Sequence, residues 1–395
     1  MEPQNCIALS NRTDFTAYVD LLRNLTNGDF SLVKVCKKDV CEALWGFGNP
    51  DISGVGMVIG YLLESGICAF LVMISLWLER TAKGHGHNAV RLLLANAART
   101  FFDNAIFFTF AIQAASIVTL SRVDFGINAE GMGGFTMEIA WLVSSLTLLP
   151  LLPMLLRPDM FKEGRSAGVV VRRLSHQNTA RMNDEDKKAE DSAHGLSGAL
   201  FEAREGQRFL LFVICWAMGF CPFFSRMGGT FGESRIGDAP NATITLTEWK
   251  TVESICFQGI HTLTSNEHNL ITAFGILSYL LLSVVIISKI ISSALENRGS
   301  ERNWLTICHN KLSETCSSYY ARLGIEVVVA IASAVQFWAF FRLRQLQSDM
   351  TQVVGGNFSD GQWTFGQIVA TVVFMPVAAE LMFVWRRRLL YLENQ

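Results

Sequence analysis

The chain has 395 residues, of which 50% are apolar and only 17% are charged, whereas soluble domains run nearer a quarter charged. A formal net charge of -2 gives no electrostatic footprint for nucleic acid. Length alone would suit two or three soluble domains, but the spacing of apolar runs predicts one polytopic bundle. The first residues, Met-Glu-Pro-Gln-Asn-Cys, hold no basic or apolar stretch. No cleavable signal peptide is therefore expected, and the first span must translocate the tail itself.

Seven apolar stretches follow a tail at 1–51 and read as membrane spans by hydropathy. The first runs from about Ile52 to Leu78 and is stopped by Glu79, Arg80, Lys83 and Arg91. The second runs from about Thr100 to Leu120, although its apolar character begins at Leu92. The third, from about Phe135 to Leu156, carries Pro150 and Pro153 and ends at Arg157. A polar loop at 157–208 precedes the fourth, from about Phe209 to Phe224. Its run Asn183-Asp184-Glu185-Asp186-Lys187-Lys188 reads as a solvated charge run. After a loop at 225–269, the fifth runs from about Leu270 to Ile291 and the sixth from about Leu323 to Phe341. The seventh runs from about Phe365 to Trp385, ends at Arg386-Arg387-Arg388, and leaves a tail at 389–395. The expected fold is an all-α bundle of seven transmembrane helices occupying 52–388.

Sidedness has its own signals. Sequons fall at Asn11, Asn24, Asn241 and Asn357, and oligosaccharyl transfer is lumenal. Seven spans with an outer N-terminus put all four on the lumenal side and the C-terminus in the cytosol. Basic residues at the inner ends of spans agree. The N-terminal tail, with Arg12, Arg23, Lys34, Lys37 and Lys38, is the exception, mostly too far from the first span to count strongly. The expected location is the endoplasmic reticulum or plasma membrane. Cys6, Cys36, Cys41 and Cys256 are then lumenal, where disulfides form, and Cys221 is close enough to join them. Sequence does not choose the pairing. Cys308, His309 and Cys316, the His85/His87 turn, and the His261, Glu267, His268 group lack a metal-ligand spacing. No metal or other cofactor is expected.

Carboxylates inside a bilayer are costly and are functional hints by default. Glu64 lies about ten residues into the first span, near the midplane at a rise of about 1.5 Å per residue. Asp51 and Glu138 lie at outer ends. Asp103, Glu326 and Glu380 fall in the cytosolic third of spans two, six and seven, where three acids at one depth could line an inner pocket. The plainer readings are that Asp103 pairs with Arg99 one helical turn away and that Glu326 and Glu380 snorkel. Glu64 has no basic neighbour in sequence. Aromatic residues are frequent in the spans, and Phe107 and Phe110 lie within two turns of Asp103. Ring faces turned inward would stabilise a cation.

The seventh span has no lysine and no Asn-Pro-x-x-Tyr, and the third has no acidic-Arg-aromatic triplet, which excludes a retinal Schiff base and the common receptor signatures. No phosphate loop, Gly-x-Ser-x-Gly or His-Glu-x-x-His occurs. Gly48-Asn49-Pro50-Asp51-Ile52-Ser53-Gly54-Val55-Gly56 and Phe102-Asp103-Asn104-Ala105-Ile106-Phe107-Phe108, with Ala111-Ile112-Gln113 following, resemble segments of multi-span proteins of filamentous fungi. Some integral membrane proteins of this kind resemble the fungal terpene cyclases of meroterpenoid pathways, and the resemblance covers mainly the first two spans. It implies an enzyme that protonates an olefin or epoxide of a prenylated, membrane-soluble substrate. Such chemistry needs a carboxylic acid held neutral in an apolar site, and Asp103, Glu64, Glu380 and Glu326 are the candidates. A seven-span receptor or sensor is the alternative, followed by a proton-coupled transporter, for which the absence of an internal repeat is unfavourable.

Overall fold

A computed structural model describes residues 6–7, 9, 15–26, 31–81, 88–123, 134–157, 206–227, 243–297, 319–382 and 386. The described chain is helical with no strand. The 158–205 segment, the His85/His87 turn, Cys308 to Cys316, Asn11 and Asn241 lie outside it. Seven helices are long and apolar enough to cross a membrane: Pro50–Thr81, Leu93–Leu120, Gly134–Leu155, Gly206–Met227, Ser265–Ile291, Leu323–Val353 and Phe365–Met382. This is the architecture of a multi-pass membrane protein.

The third span is the axis of the bundle. Every residue from Ile139 to Leu155 is buried, as expected for a helix with no charged side on any face there. It packs against the first, second, fifth and sixth spans. Pro150 lacks an N–H, and the helix tightens into a 3₁₀ turn at Leu149–Leu151 before resuming at Leu152–Leu155. The seventh span breaks in the same way. Its helix at Phe365–Val372 gives way to a turn at Val373 and Phe374, just where Pro376 cannot bond to the carbonyl four residues back.

The Gly48–Gly56 segment locks the N-terminal end of the first span. Asn49 caps the short helix Pro50–Ser53 by accepting from Asp51 N, and its Nδ2 donates to Thr119 Oγ1 at 3.0 Å on the second span. Arg344 Nε of the sixth span donates to Ser53 O at 2.8 Å and to Asp360 Oδ2 at 3.2 Å. Gly56 N donates to Gln367 Oε1 at 2.9 Å. A Cβ on Gly56 would lie 2.5 Å from that of Gln367, so only glycine lets the first and seventh spans approach this closely.

The N-terminal tail is folded. Helices Phe15–Thr26, Ser31–Val35 and Lys37–Trp45 pack with Leu246–Cys256, from the loop between spans four and five, around Phe15, Tyr18, Leu22, Val40 and Val252. The Trp45 ring lies 5.1 Å from both Trp249, tilted, and Phe257, edge to face. Disulfides join Cys6 to Cys36 and Cys41 to Cys256, which settles the open pairing; Cys221 is free. Gly46 turns the chain into the bundle at φ 83°, and a Cβ there would strike Thr136 and Gln347. Leu120, Met137 and Met350 contribute to the same core, so this cap sits on one end of the bundle. The sixth span is accordingly longer than its hydropathy implies. Beyond Phe341 its residues become polar, but Leu343, Leu346, Gln347, Met350 and Thr351 stay buried under the cap. Asn24 and Asn357 are both exposed at this end.

Candidate functional site

Glu64 is fully buried at the centre of the bundle. It lies in the helix Val55–Thr81, and Tyr61 and Cys68 share its face at helical spacing. Thr109 Oγ1 of the second span donates to Glu64 Oε1 at 3.3 Å, with Thr147 O of the third span as its alternative acceptor at 3.4 Å. Glu64 Oε2 has no hydrogen-bond partner among the described residues. One neutral hydroxyl is far too little to hold an ionised carboxylate away from water. Cys68 Sγ donates to Pro150 O at 2.6 Å, which uses the carbonyl at the break in the third span.

Beside the acid lies a cluster of rings. Tyr61 contacts Phe108 at 5.8 Å and Phe340 at 5.9 Å, and Phe374 contacts Phe108 and Phe101 at 5.7 Å each. These residues come from spans one, two, six and seven, so the ring cluster closes the bundle on one side of Glu64. Towards the cap the polar contacts continue along the third span. Gln113 Nε2 donates to Ser144 O at 2.7 Å, and Ser144 Oγ returns a bond to Gln113 Oε1. On another face Gln336 Nε2 donates to Ser145 Oγ at 2.9 Å and to Ser278 Oγ at 2.7 Å.

The other acids have different roles. Asp103 on the second span reaches across to the fourth. It is held bidentately by Arg208, with Nε to Oδ1 at 2.5 Å and Nη2 to Oδ2 at 2.8 Å, while Arg99 Nη1 bonds Asn96 Oδ1. Glu326 pairs with the buried Arg157, which also lies 3.9 Å from Glu79. Spans one, three and six are thus tied at the end opposite the cap. Glu380 is half-buried on the seventh span. Asp103 and Glu326 thus face different arginines. Phe107 and Phe110 are exposed outward, where lipid would meet them. Glu138 pairs with Arg226 at 3.2 Å. Glu267 caps its own helix through Thr264 and meets Arg342 at 3.4 Å, while His268 faces Arg226.

Sequence reasoning singled out Glu64 but missed Thr109, Gln113, Ser144 and Gln336. The available signal was four neutral polar side chains inside otherwise apolar spans. No protein-family description, characterised protein or solved structure matches this chain. Fold and site therefore define its class alone: a multi-pass membrane protein with seven apolar helices and a buried acid, Glu64, on its first span.

Proposed function

We propose that this protein is a membrane-embedded acid catalyst, a terpene cyclase that protonates an olefin or epoxide of a prenylated substrate at Glu64. The observation that carries this reading is Glu64 Oε2, a buried oxygen without a hydrogen-bond partner among the described residues, beside the ring cluster of Tyr61, Phe108 and Phe340. The neutral acid gives its proton to the terminal double bond or epoxide oxygen. The remaining π electrons close carbon–carbon bonds in turn, and a carbon at the far end of the new ring system releases a proton to water. Substrate and product are isomers. Thr109 Oγ1 stabilises the carboxylate left on Glu64, and the ring faces stabilise cationic intermediates. A prenylated substrate dissolves in the bilayer and enters from it.

The same proposal puts the cap in the lumen of the secretory pathway, with the C-terminus in the cytosol, in the endoplasmic reticulum or plasma membrane. Two disulfides and the exposed sequon residues Asn24 and Asn357 at the cap end support that sidedness. A second reading, a seven-span ligand sensor, is favoured by the folded cap itself, whose helices lie over the ends of several spans.

The test is turnover. Microsomes containing the protein are given prenylated phenols and quinones and their terminal epoxides. The cyclase reading expects a product of unchanged mass, and in heavy water an olefin substrate should gain one non-exchangeable deuteron. Failure of every prenylated substrate to react would move the sensor reading ahead.

A further inference from the structure

We propose that the half of the seventh span beyond its break is a lid on Glu64, which opens sideways to the bilayer to admit an apolar isoprenoid chain, with Phe374 as its latch. The inference rests on reading Glu64 as the acid that meets a membrane-soluble substrate. That acid is fully buried, so an element beside it must move before a substrate can reach it.

The other surroundings of Glu64 are tied. In a membrane, helices are held together by close packing and hydrogen bonds rather than by escape from water. The third span is buried on every face from Ile139 to Leu155. Asn49 and Glu64 join the first span to the second, and Gln113 joins the second to the third. Arg208 holds the fourth span to the second, and Trp216 Nε1 donates to Ser283 Oγ of the fifth at 3.1 Å. Gln336 joins the sixth span to the third and fifth. Arg157 and Glu326 close the end opposite the cap, and the cap with its two disulfides covers the other.

The seventh span has such ties in its first half. Thr364 Oγ1 donates to Asp51 Oδ1 at 2.9 Å, Gln367 Oε1 accepts from Gly56 N, and a Cβ on Gly60 would lie 3.2 Å from Ala370 O. The turn at Val373 and Phe374 follows, and the helix resumes at Met375. Pro376 stands in the first turn of this second half, where a missing N–H breaks no bond. A few residues at the end of an element are what hinges are made of. From 373 to 382 the one polar side chain is Glu380, and no side chain of this stretch makes a hydrogen bond or ion pair among the described residues. Met375 and Met382 are 64% and 67% exposed. Apolar contacts alone hold this half-helix. Val377 and Leu381 rest on the core, and the buried Phe374 stacks on Phe101 and meets Phe108 edge to face, both at 5.7 Å. Phe108 lies 5.8 Å from Tyr61 and precedes Thr109, the hydroxyl donor to Glu64. Withdrawing Phe374 therefore opens the ring cluster beside the acid. Latch and seat are rings and aliphatic side chains, which suits a branched hydrocarbon chain.

The experiment uses dicyclohexylcarbodiimide, an apolar reagent that dissolves in bilayers and adds to a protonated carboxyl group to leave a stable N-acylurea. Full-length protein in liposomes is sampled over time, and modification of the Glu64 peptide is read by mass spectrometry. Phe374→Ala removes both ring contacts and should speed modification of Glu64 by about tenfold, the worth of two aromatic pairs. Phe101→Ala removes one of them and should speed it less. Met375→Ala, beside the latch but facing outward, should match wild type. Pro376→Ala restores an N–H and a continuous helix and should slow modification, which misfolding would not do. Retention of both disulfides checks folding. Equal rates in wild type, Phe374→Ala and Phe101→Ala, no modification of Glu64 in any of them, or a Pro376→Ala rate no slower than wild type overturns the lid. The acid is judged separately, by turnover. Lid-dependent modification of Glu64 in a protein that converts no prenylated substrate keeps the lid and removes the cyclase reading.

Discussion

Thr109 donates its hydroxyl to Glu64 Oε1 at 3.3 Å across the interface of the first two spans. It holds Oε1 and leaves Oε2 without a hydrogen-bond partner among the described residues. Removing the hydroxyl with Thr109→Val should leave the acid in place but misdirected. Turnover should fall by about tenfold, the order of one lost hydrogen bond, with protein level unchanged. Thr109→Ser should restore it.

Asp103 and Arg208 form a structural tie between spans two and four. Asp103→Asn should lower thermal stability by roughly 2 kcal/mol, between the exposed and buried limits for an ion pair. Turnover per folded molecule should stay near normal. The exchanged pair Asp103→Arg with Arg208→Asp should regain part of the stability. A large loss of turnover at full stability would return Asp103 to the candidate proton donors.

The cap should be covalently tied as Cys6–Cys36 and Cys41–Cys256. Peptide mapping without reductant checks both links, and a maleimide should label Cys221, which is free and exposed. Cys41→Ser should destabilise the protein by about 2–5 kcal/mol. Recovery of a Cys36–Cys41 peptide would contradict the pairing.

Glycosylation tests sidedness. Endoglycosidase should lower the apparent mass, and Asn24→Gln and Asn357→Gln should each remove one increment. A sequon engineered into 158–205 should stay unmodified. A glycan accepted there would invert the assignment.

Two carboxylates outside the spans should respond to pH in opposite senses. Burial works against ionised Glu248, but the Arg23 hydrogen bond and the Thr245 capping box hold its carboxyl below the ordinary 4.5. Its contribution is present above that value and is lost as pH falls through the lowered folded value. Burial raises Asp360 above its ordinary 3.8, against the opposing bonds from Ser53 and Arg344. Its contribution is full below that value and is lost as pH rises through the raised folded value. Hydrogen exchange of 243–256 against pH, corrected for the intrinsic rate, follows the first. Glu248→Gln should remove that dependence. Thermal stability of Asp360→Asn against wild type across the same range follows the second.

The spans are legible because hydropathy is a local property, and all seven recur close to their expected positions. The sixth overruns because burial beneath the cap, not lipid, keeps its polar last turns helical. The tail is opaque because its core is shared with Val252 and Phe257, more than two hundred residues away in sequence. The Arg208 partner of Asp103 is hidden for a related reason: local spacing shows the i, i+4 neighbour, whereas Arg208 arrives from another helix 105 residues later. Glu64 is legible as an isolated acid. Its hydroxyl and amide neighbours are not, since serine, threonine and glutamine occur in spans for many reasons and only packing brings them to one face.

The central claim is that the Glu64 proton does the chemistry. The most direct measurement is turnover of a prenylated substrate by Glu64→Gln in microsomes, normalised to disulfide-bonded protein. The amide keeps the shape and the acceptor for Thr109 but has no acidic proton. Turnover should fall about 10²–10⁴-fold, the usual cost of losing a general acid, with protein level unchanged. Near-normal turnover by Glu64→Gln would contradict the account.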